Sequence, residues 1–290
     1  MDYKYLLSVC LCIKDEAKYM PDFIEHYLKQ GVEHFYIINN NSNDNIQELC
    51  NEPQYKDIVT LITDNRNMGI LQTNSSAHGH QTLLNEHFYP IIIQETKWAI
   101  IVDADEFMFG KNGHTIKTYL SEVPDHIGTI YVIWNIINPS FDPENNIVST
   151  FSTQQNTKRI NYDKLSGLSW LIKNANDFGK SIVRTSMLVE GCKLWLHKNR
   201  SKGTVINNYG YESNNNYDNC NGILLSEQNY ANINISLHHY AIRNSEDYVK
   251  KLKQLDAVSE KIPFIKGLFE ILALTDEYLV SDTNLLASNK

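Results

Sequence analysis

No stretch of this 290-residue chain approaches the ~18 consecutive apolar residues of a membrane-spanning helix. No integral membrane segment is therefore expected. The opening apolar run, Leu6 to Ile13, is short, lacks a small-residue cleavage site and ends in Lys14-Asp15-Glu16, so it reads as a buried first strand rather than a signal peptide. Cysteines number only five, odd and scattered, which argues against a disulfide framework or a zinc site. Free thiols suit a reducing compartment, and the expected location is cytoplasmic, bacterial or in a host cell if the source is viral. Basic charge is also short. Lys and Arg total 26 against 34 acidic residues, a net charge of −8, so the surface does not draw in nucleic acid, although a local pocket for one phosphate ligand stays compatible. The chain has no Gly-x-Gly-x-x-Gly, Walker loop, Gly-x-Ser-x-Gly elbow or His-Glu-x-x-His, and dehydrogenase, P-loop and α/β-hydrolase readings lose their main support.

What is present is an alternation of short apolar runs and amphipathic stretches, the pattern of an α/β layered fold. Strands are predicted over 7–13, 34–38, 58–62, 98–102 and 129–134. Later ones are predicted over 181–189, 204–207 and 233–240. A helix with Pro21 near its start should bury Phe23, Ile24, Tyr27 and Leu28 and end before Gly31. A second helix is predicted over 80–94, with Pro90 kinking or breaking it. The segment 135–176, rich in Asn, Ser, Thr and Asp, reads as loops and short strands. Asn244 or Ser245 should cap a further helix carrying Glu246, Asp247, Tyr248, Leu252 and Leu255. Residues from Ser281 onward are expected to fray.

The segment Val102-Asp103-Ala104-Asp105-Glu106-Phe107 carries the most chemistry. A buried strand ends here in three carboxylates within four residues. Ligands of open α/β sheets bind beyond the carboxyl ends of strands. If strand geometry persists, Asp103 and Asp105 point to one side and repel unless a cation or donor neutralises them. Mg²⁺ or Mn²⁺ would do so while bridging to substrate phosphates; the alternative is a solvated turn. His238-His239-Tyr240 could add a nitrogen ligand, or be structural. Lys14-Asp15-Glu16 and the loop Asn39 to Asp44 should share the sheet edge with Asp103. Their polar groups could hold a nucleobase and ribose, or simply form turns.

Together these segments resemble the GT-A glycosyltransferases of the family 2-like and family 92 (DUF23-type) group. The resemblance runs from Cys12-Ile13-Lys14-Asp15-Glu16, where Asp15 replaces the usual Asn, through His26-Tyr27, Gly31 to Tyr36 and Asn40 to Asp44. It continues with Gln81 seventeen residues before Trp98, the Trp98 to Phe107 signature, Ser181 to Arg184, and His239-Tyr240 with Arg243 to Tyr248 and Lys251. It implies a single GT-A domain over 1–290, mostly parallel in its sheet. Residues 1–134 would form the nucleotide-sugar half, 135–255 the acceptor half and 256–290 a helical extension. It also implies a UDP-sugar donor, a glycan or other hydroxyl acceptor, Mn²⁺ or Mg²⁺, and an inverting transfer. Asp103, Asp105 and His239 would be the metal ligands. Lys14, Glu16, Asn41, Asp44, Gln81 and Asp103 would contact the donor, with Lys14 or Arg184 assisting electrostatically. The catalytic base would be Asp142 or Asp163, with Glu106 structural. Two rivals remain: a catalytically silent carbohydrate- or nucleotide-binding protein on the same fold, and a nucleotidyltransferase. The second is disfavoured because Lys14 to Lys18 holds no glycine for a phosphate loop.

Overall fold

The structure is a computed structural model that describes residues 2–67, 79–138, 158–169, 178–188, 194–195, 197–199, 201–213, 226–241, 243, 270–271, 274 and 276–282. Asp142, Lys251 and the helix expected from Asn244 or Ser245 lie outside the described residues. Twelve described strands pair into one sheet: β1 (Tyr5–Ile13), β2 (His34–Asn39), β3 (Val59–Thr63), β4 (Thr96–Ile101), β5 (Glu106–Gly110), β6 (Ile127–Asn138), β7 (Lys158–Ile160), β8 (Gly179–Arg184), β9 (Thr204–Asn207), β10 (Glu212–Ser213), β11 (Ile235–His239) and β12 (Leu279–Ser281). The main path runs β10-β9-β6-β8-β4-β1-β2-β3. It is parallel from β4 through β1 and β2 to β3, and mixed beyond, where β8 lies antiparallel to both β4 and β6. The α/β class expected from the sequence is the class observed.

The parallel strands read as continuous apolar runs because both of their faces are covered. Leu7, Val9, Leu11 and Ile13 of β1 pack with Met20, Phe23, Ile24 and Tyr27 of α1 (Met20–Lys29) and with Ile46 and Leu49 of α2 (Ile46–Cys50). The alternate residues Cys10 and Cys12 face Leu83 and Leu84 of α3 (Gly79–His87) and Ile92 of α4 (Tyr89–Glu95). The two thiols do share a face; burial raises both, Cys12 to about 12, which makes them inert apolar filling.

Local signals set the helix bounds. Pro21 sits in the first turn of α1, and Gly31 beyond its end takes the left-handed φ of +86°. Leu28 is the exception to the predicted face: it lies at the edge of the apolar stripe and is exposed. The expected 80–94 helix breaks at Phe88, and Pro90 serves the first turn of α4 instead of kinking one long helix. The helix α5 (Ile116–Glu122) opens with a Thr115–Thr118 capping box, and α6 (Glu227–Asn232) opens on a Ser226 cap.

Three expectations need correction. The 181–189 strand ends at Arg184, after which residues 185–187 form a 3₁₀ turn. The described part of 256–290 includes β12, paired with β7, so that segment is not purely helical. Asp282, expected to fray, is buried because Arg159 and Tyr230 supply donors to its carboxylate. Among the described residues no helix is long and apolar enough to cross a membrane.

Candidate functional site

The carboxyl ends of β1, β2, β3 and β4 lie at one edge of the sheet, and the loops that follow them meet there. After β1 and β2 the ladder gives way to side-chain ties. Asp15 donates its amide to Ser42 Oγ at 2.9 Å and accepts the Asn43 amide at 2.6 Å, while the Ala17 amide donates to Asp44 Oδ2 at 2.7 Å. Asp15 and Asn41 hold left-handed backbone, with φ of 56° and 58°. Asn and Asp tolerate that conformation better than other non-glycine residues, which fits both positions. Asn41 Nδ2 reaches the Asn65 carbonyl at 3.1 Å. The described bonds of Asp44 and Asn41 are thus those of loop-formers that knit neighbouring turns together. Lys14 is exposed at the same edge.

Glu16 is gripped from the far end of the chain. Arg243 donates to both its carboxylate oxygens, at 2.5 and 3.0 Å, and stacks on Tyr19 at 4.0 Å. This fork closes the loop after β1 against the segment that follows β11. Gln81 is buried in α3, where its carbonyl accepts from Asn85 Nδ2 at 2.6 Å.

The carboxylate turn departs from the strand geometry assumed for it. β4 ends at Ile101, and the Glu106 amide donates to the Asp103 carbonyl at 3.1 Å, closing a turn. Asp103 and Asp105 therefore meet different partners. Asp103 Oδ2 accepts from Lys180 Nζ at 2.6 Å, and its amide donates to Glu106 Oε2 at 2.8 Å. Lys180 also lies 3.4 Å from Glu106 Oε2; Lys180 and Glu106 are fully buried, while the Asp103 side chain is 42% exposed. Burial alone would raise the Asp103 carboxyl, but the Lys180 ammonium outweighs it and holds the group below its ordinary value. Burial drives the Glu106 carboxyl well above the usual range, which Lys180 only partly offsets. For Lys180, desolvation is overcome by Asp103 and Glu106, and its pKa rises.

Lys180 is the residue sequence reasoning missed. Part of the repulsion that made a metal attractive for the Asp-x-Asp segment is relieved by this lysine. Its position follows from the register: Ile101 pairs with Ser181 and Val132 with Lys180, so β8 begins beside the turn that ends β4. Gly179 permits the close start, since a Cβ there would stand 2.2 Å from the Val132 carbonyl oxygen. Gly179→Ala is expected to cost about 1–3 kcal/mol as overpacking, read as a lowered midpoint in urea unfolding. A wild-type midpoint would show that the β6–β8 spacing gives way freely.

Asp105 meets His239. β11 runs antiparallel to β5, pairing His239 with Glu106, and this register brings His239 Nε2 to 3.7 Å from Asp105 Oδ2. The separation exceeds a hydrogen bond and lies within the span of one bridging cation. The Tyr240 amide donates to the Asp105 carbonyl at 2.9 Å, and Trp134 packs on the His239 ring at 4.4 Å. His239 Nδ1 is buried with no hydrogen-bond partner among the described residues. The carboxylate oxygen suits Mg²⁺ or Mn²⁺, and the imidazole nitrogen favours Mn²⁺ of the two. Among the described residues no three His, Cys, Asp or Glu side chains converge as a complete ligand set, so the chain offers the Asp105–His239 pair with Asp103 beside it.

Two other expected residues lie apart. Asp163 is exposed and accepts the Glu227 amide at 3.1 Å, at the start of α6. Arg184 sits at the opposite end of β8 from Lys180, where it donates to the Ile127 and Pro124 carbonyls and stacks on Trp98.

The likeness to known proteins is of two kinds. No curated protein sequence matches the chain. Among solved structures it resembles S. aureus TarS 1–349, at 15% identity over 63% of this chain and 48% of that one, with a TM-score of 0.38. The same fragment in complex with UDP-GlcNAc gives 16% identity, coverage of 63% and 46%, and a TM-score of 0.38. Glucosyl-3-phosphoglycerate synthase from Mycobacterium tuberculosis, in complex with Mn²⁺, UDP and glucosyl-3-phosphoglycerate, gives 11% identity, coverage of 63% and 58%, and a TM-score of 0.31. The chain spans about half the length of these structures, a partial overlap that says nothing of reaction. The family model is another matter: glycosyltransferase family 92 matches residues 5–254, a span that takes in the loops after β1 and β2, the Asp103–Glu106 turn, Lys180 and His239. The chain belongs to glycosyltransferase family 92.

Proposed function

We propose that the protein transfers a sugar from a nucleoside-diphosphate donor, a UDP-sugar, to a glycan or other hydroxyl acceptor, with a divalent cation and with inversion. The observation that carries this reading is the pairing of Asp105 with His239 at the sheet edge where Asp103 and the loops after β1 and β2 converge. Asp105 and His239 would hold Mn²⁺ or Mg²⁺, with Asp103 beside them. The ion, when bound, supplies the positive charge that steadies a departing diphosphate. Asp103 presents a half-exposed carboxylate to the donor. Lys14, Asn41, Asp44 and Gln81 complete the donor set proposed for this edge, and Glu16 acts through its fork with Arg243. An inverting transfer needs a carboxylate to take the acceptor proton from the face opposite the leaving group. Asp142 is our candidate; Asp163 is the weaker one, because its contact with the Glu227 amide gives it a capping task.

The test is a donor-hydrolysis screen of purified protein with a panel of nucleotide sugars, reading released nucleoside diphosphate. Metal-dependent release from one donor, abolished by chelator, is expected. No release from any donor and no metal-dependent binding of nucleoside diphosphates would replace this reading with a silent binding protein. For His239→Ala, the Mn²⁺ concentration giving half-maximal rate should rise by about 10- to 100-fold, as when a site loses a group that orders its metal. An unchanged metal requirement would make His239 a packing residue under Trp134.

A further inference from the structure

Three carboxylates in four residues need an explanation within the protein before any ligand arrives. Lys180 provides one, and its geometry has a direction. The lysine is wholly buried, as is Glu106, yet the carboxylate it holds at 2.6 Å is 42% exposed on the ligand edge. A cation brought in only to neutralise Glu106 would stand closest to Glu106. Lys180 instead stands closer to Asp103, at 2.6 against 3.4 Å. Asp103 is then gripped twice, its amide by Glu106 Oε2 and its carboxylate Oδ2 by Lys180 Nζ. Lys180 thus anchors one oxygen, Oδ2, of a carboxylate side chain that stays 42% exposed, and Oδ1 takes no hydrogen bond among the described residues.

We propose that Lys180 is a positioning residue for nucleotide binding, fixing the Asp103 carboxylate in one orientation so that its other oxygen meets the donor. This rests on the donor site proposed above. Lys180 acts through Asp103 and touches neither donor nor cation. The supporting elements are rigid: β8 is paired on both sides, by β4 and β6, and α1 pins β5 through Tyr27, whose hydroxyl donates to the Glu106 carbonyl and accepts the Met108 amide, both at 3.0 Å. Preorganisation of this kind acts when the groups that orient a ligand contact are themselves locked.

Lys180→Met alone would strand Glu106 and Asp103 without their cation and risks misfolding. The decisive variant is therefore Lys180→Met combined with Glu106→Gln. It removes the buried ammonium and the buried carboxyl together, keeps an oxygen for the Asp103 amide and leaves Asp103 without its inward anchor. Two readouts are taken on the folded double variant and on wild type: UDP binding by calorimetry with Mn²⁺ present, and the Asp103 side-chain orientation in crystal structures. We expect Asp103 to leave its wild-type rotamer and UDP binding to weaken by about 10- to 100-fold, the usual loss when an orienting partner is removed. Restoring lysine in the single variant Glu106→Gln should restore both. An unmoved Asp103 overturns the proposal, whether binding holds (Lys180 only balances Glu106) or falls (Lys180 meets the ligand itself). A displaced Asp103 with unchanged binding overturns it too. If wild type binds no UDP, the proposed function fails and with it the role of Lys180 in nucleotide binding. The rotamer then reports separately whether Lys180 orients Asp103.

Discussion

Asp105→Ala should reduce metal-dependent donor hydrolysis on the order of 10³-fold while the protein remains folded. The argument starts from location. Asp105 is the carboxylate that faces His239, at 3.7 Å, whereas Asp103 is engaged by Lys180. A cation held by Asp105 and His239 would lose one of the two ligands the described chain offers, and several kcal/mol of charge stabilisation at a departing diphosphate corresponds to a factor of that order. The fold should survive because the contact that fixes this turn to β11 is made by the backbone: the Tyr240 amide donates to the Asp105 carbonyl, which alanine retains. Unfolding in urea is expected to move by less than about 1 kcal/mol, as for substitutions away from core and caps. A variant that hydrolyses donor at the wild-type rate would remove Asp105 from the metal site and leave the Asp-x-Asp segment as a structural turn. A variant that is inactive and also unfolds early would leave the chemistry undecided, and Asp105→Asn, closer in shape, then separates charge from structure.

The parts of this molecule that were legible in the sequence are those whose cause is local. β1 and β4 announced themselves because a strand buried on both faces needs an unbroken apolar run, and α1 because Pro21, its apolar stripe and Gly31 mark a start, a face and an end. The carboxylates were legible as a group, since they follow a buried strand directly. Their division of labour was not. It depends on β8 arriving antiparallel beside β4 with Lys180 leading, and on β11 pairing with β5, and neither register leaves a trace in a window of ten residues. Lys180 was hidden for a second reason: a lysine after glycine reads as an exposed strand end, and only the approach of Asp103 and Glu106 explains its burial. β5 was overlooked because it starts inside the carboxylate motif, at Glu106 itself. The Arg243–Glu16 fork joins residues 227 apart, which motif matching located at both ends without suggesting that they touch.

The same blindness to distant pairs covers the largest expected effect on stability. Asp282→Asn should destabilise the fold by about 3–5 kcal/mol, the loss seen when one member of a buried ion pair is removed and its partner stays charged. Asp282 has a fully buried side chain, and its Oδ2 accepts from Arg159 Nε at 2.8 Å and from the Tyr230 hydroxyl at 2.6 Å, with His238 Nε2 at 3.4 Å. Arg159 is itself forked onto Glu227 and lies over the Tyr230 ring, so the side-chain amide introduced by Asp282→Asn would face a guanidinium it can satisfy with one oxygen but not neutralise. The pH dependence carries a definite sign. Burial works to raise the Asp282 carboxyl, but His238, Tyr230 and Arg159 prevail and hold it below the ordinary carboxylate value. A depressed folded-state pKa contributes stability that is present above the unfolded value of about 3.9 and is lost as pH falls through the lower folded value. The wild type should therefore lose stability on acidification more steeply than Asp282→Asn, and the two unfolding curves should converge toward low pH. The double variant Arg159→Met, Asp282→Leu should recover part of the loss, because apolar side chains of similar volume replace a buried pair at little cost, and the half-buried Glu227 can turn to water. Urea unfolding of the three proteins from pH 7 down to about pH 2, through and below the unfolded carboxylate value, decides the matter. A single-variant loss below about 1 kcal/mol at pH 7 would mean that Glu227 alone satisfies Arg159, and that β12 is held to β7 by its backbone ladder rather than by this charge.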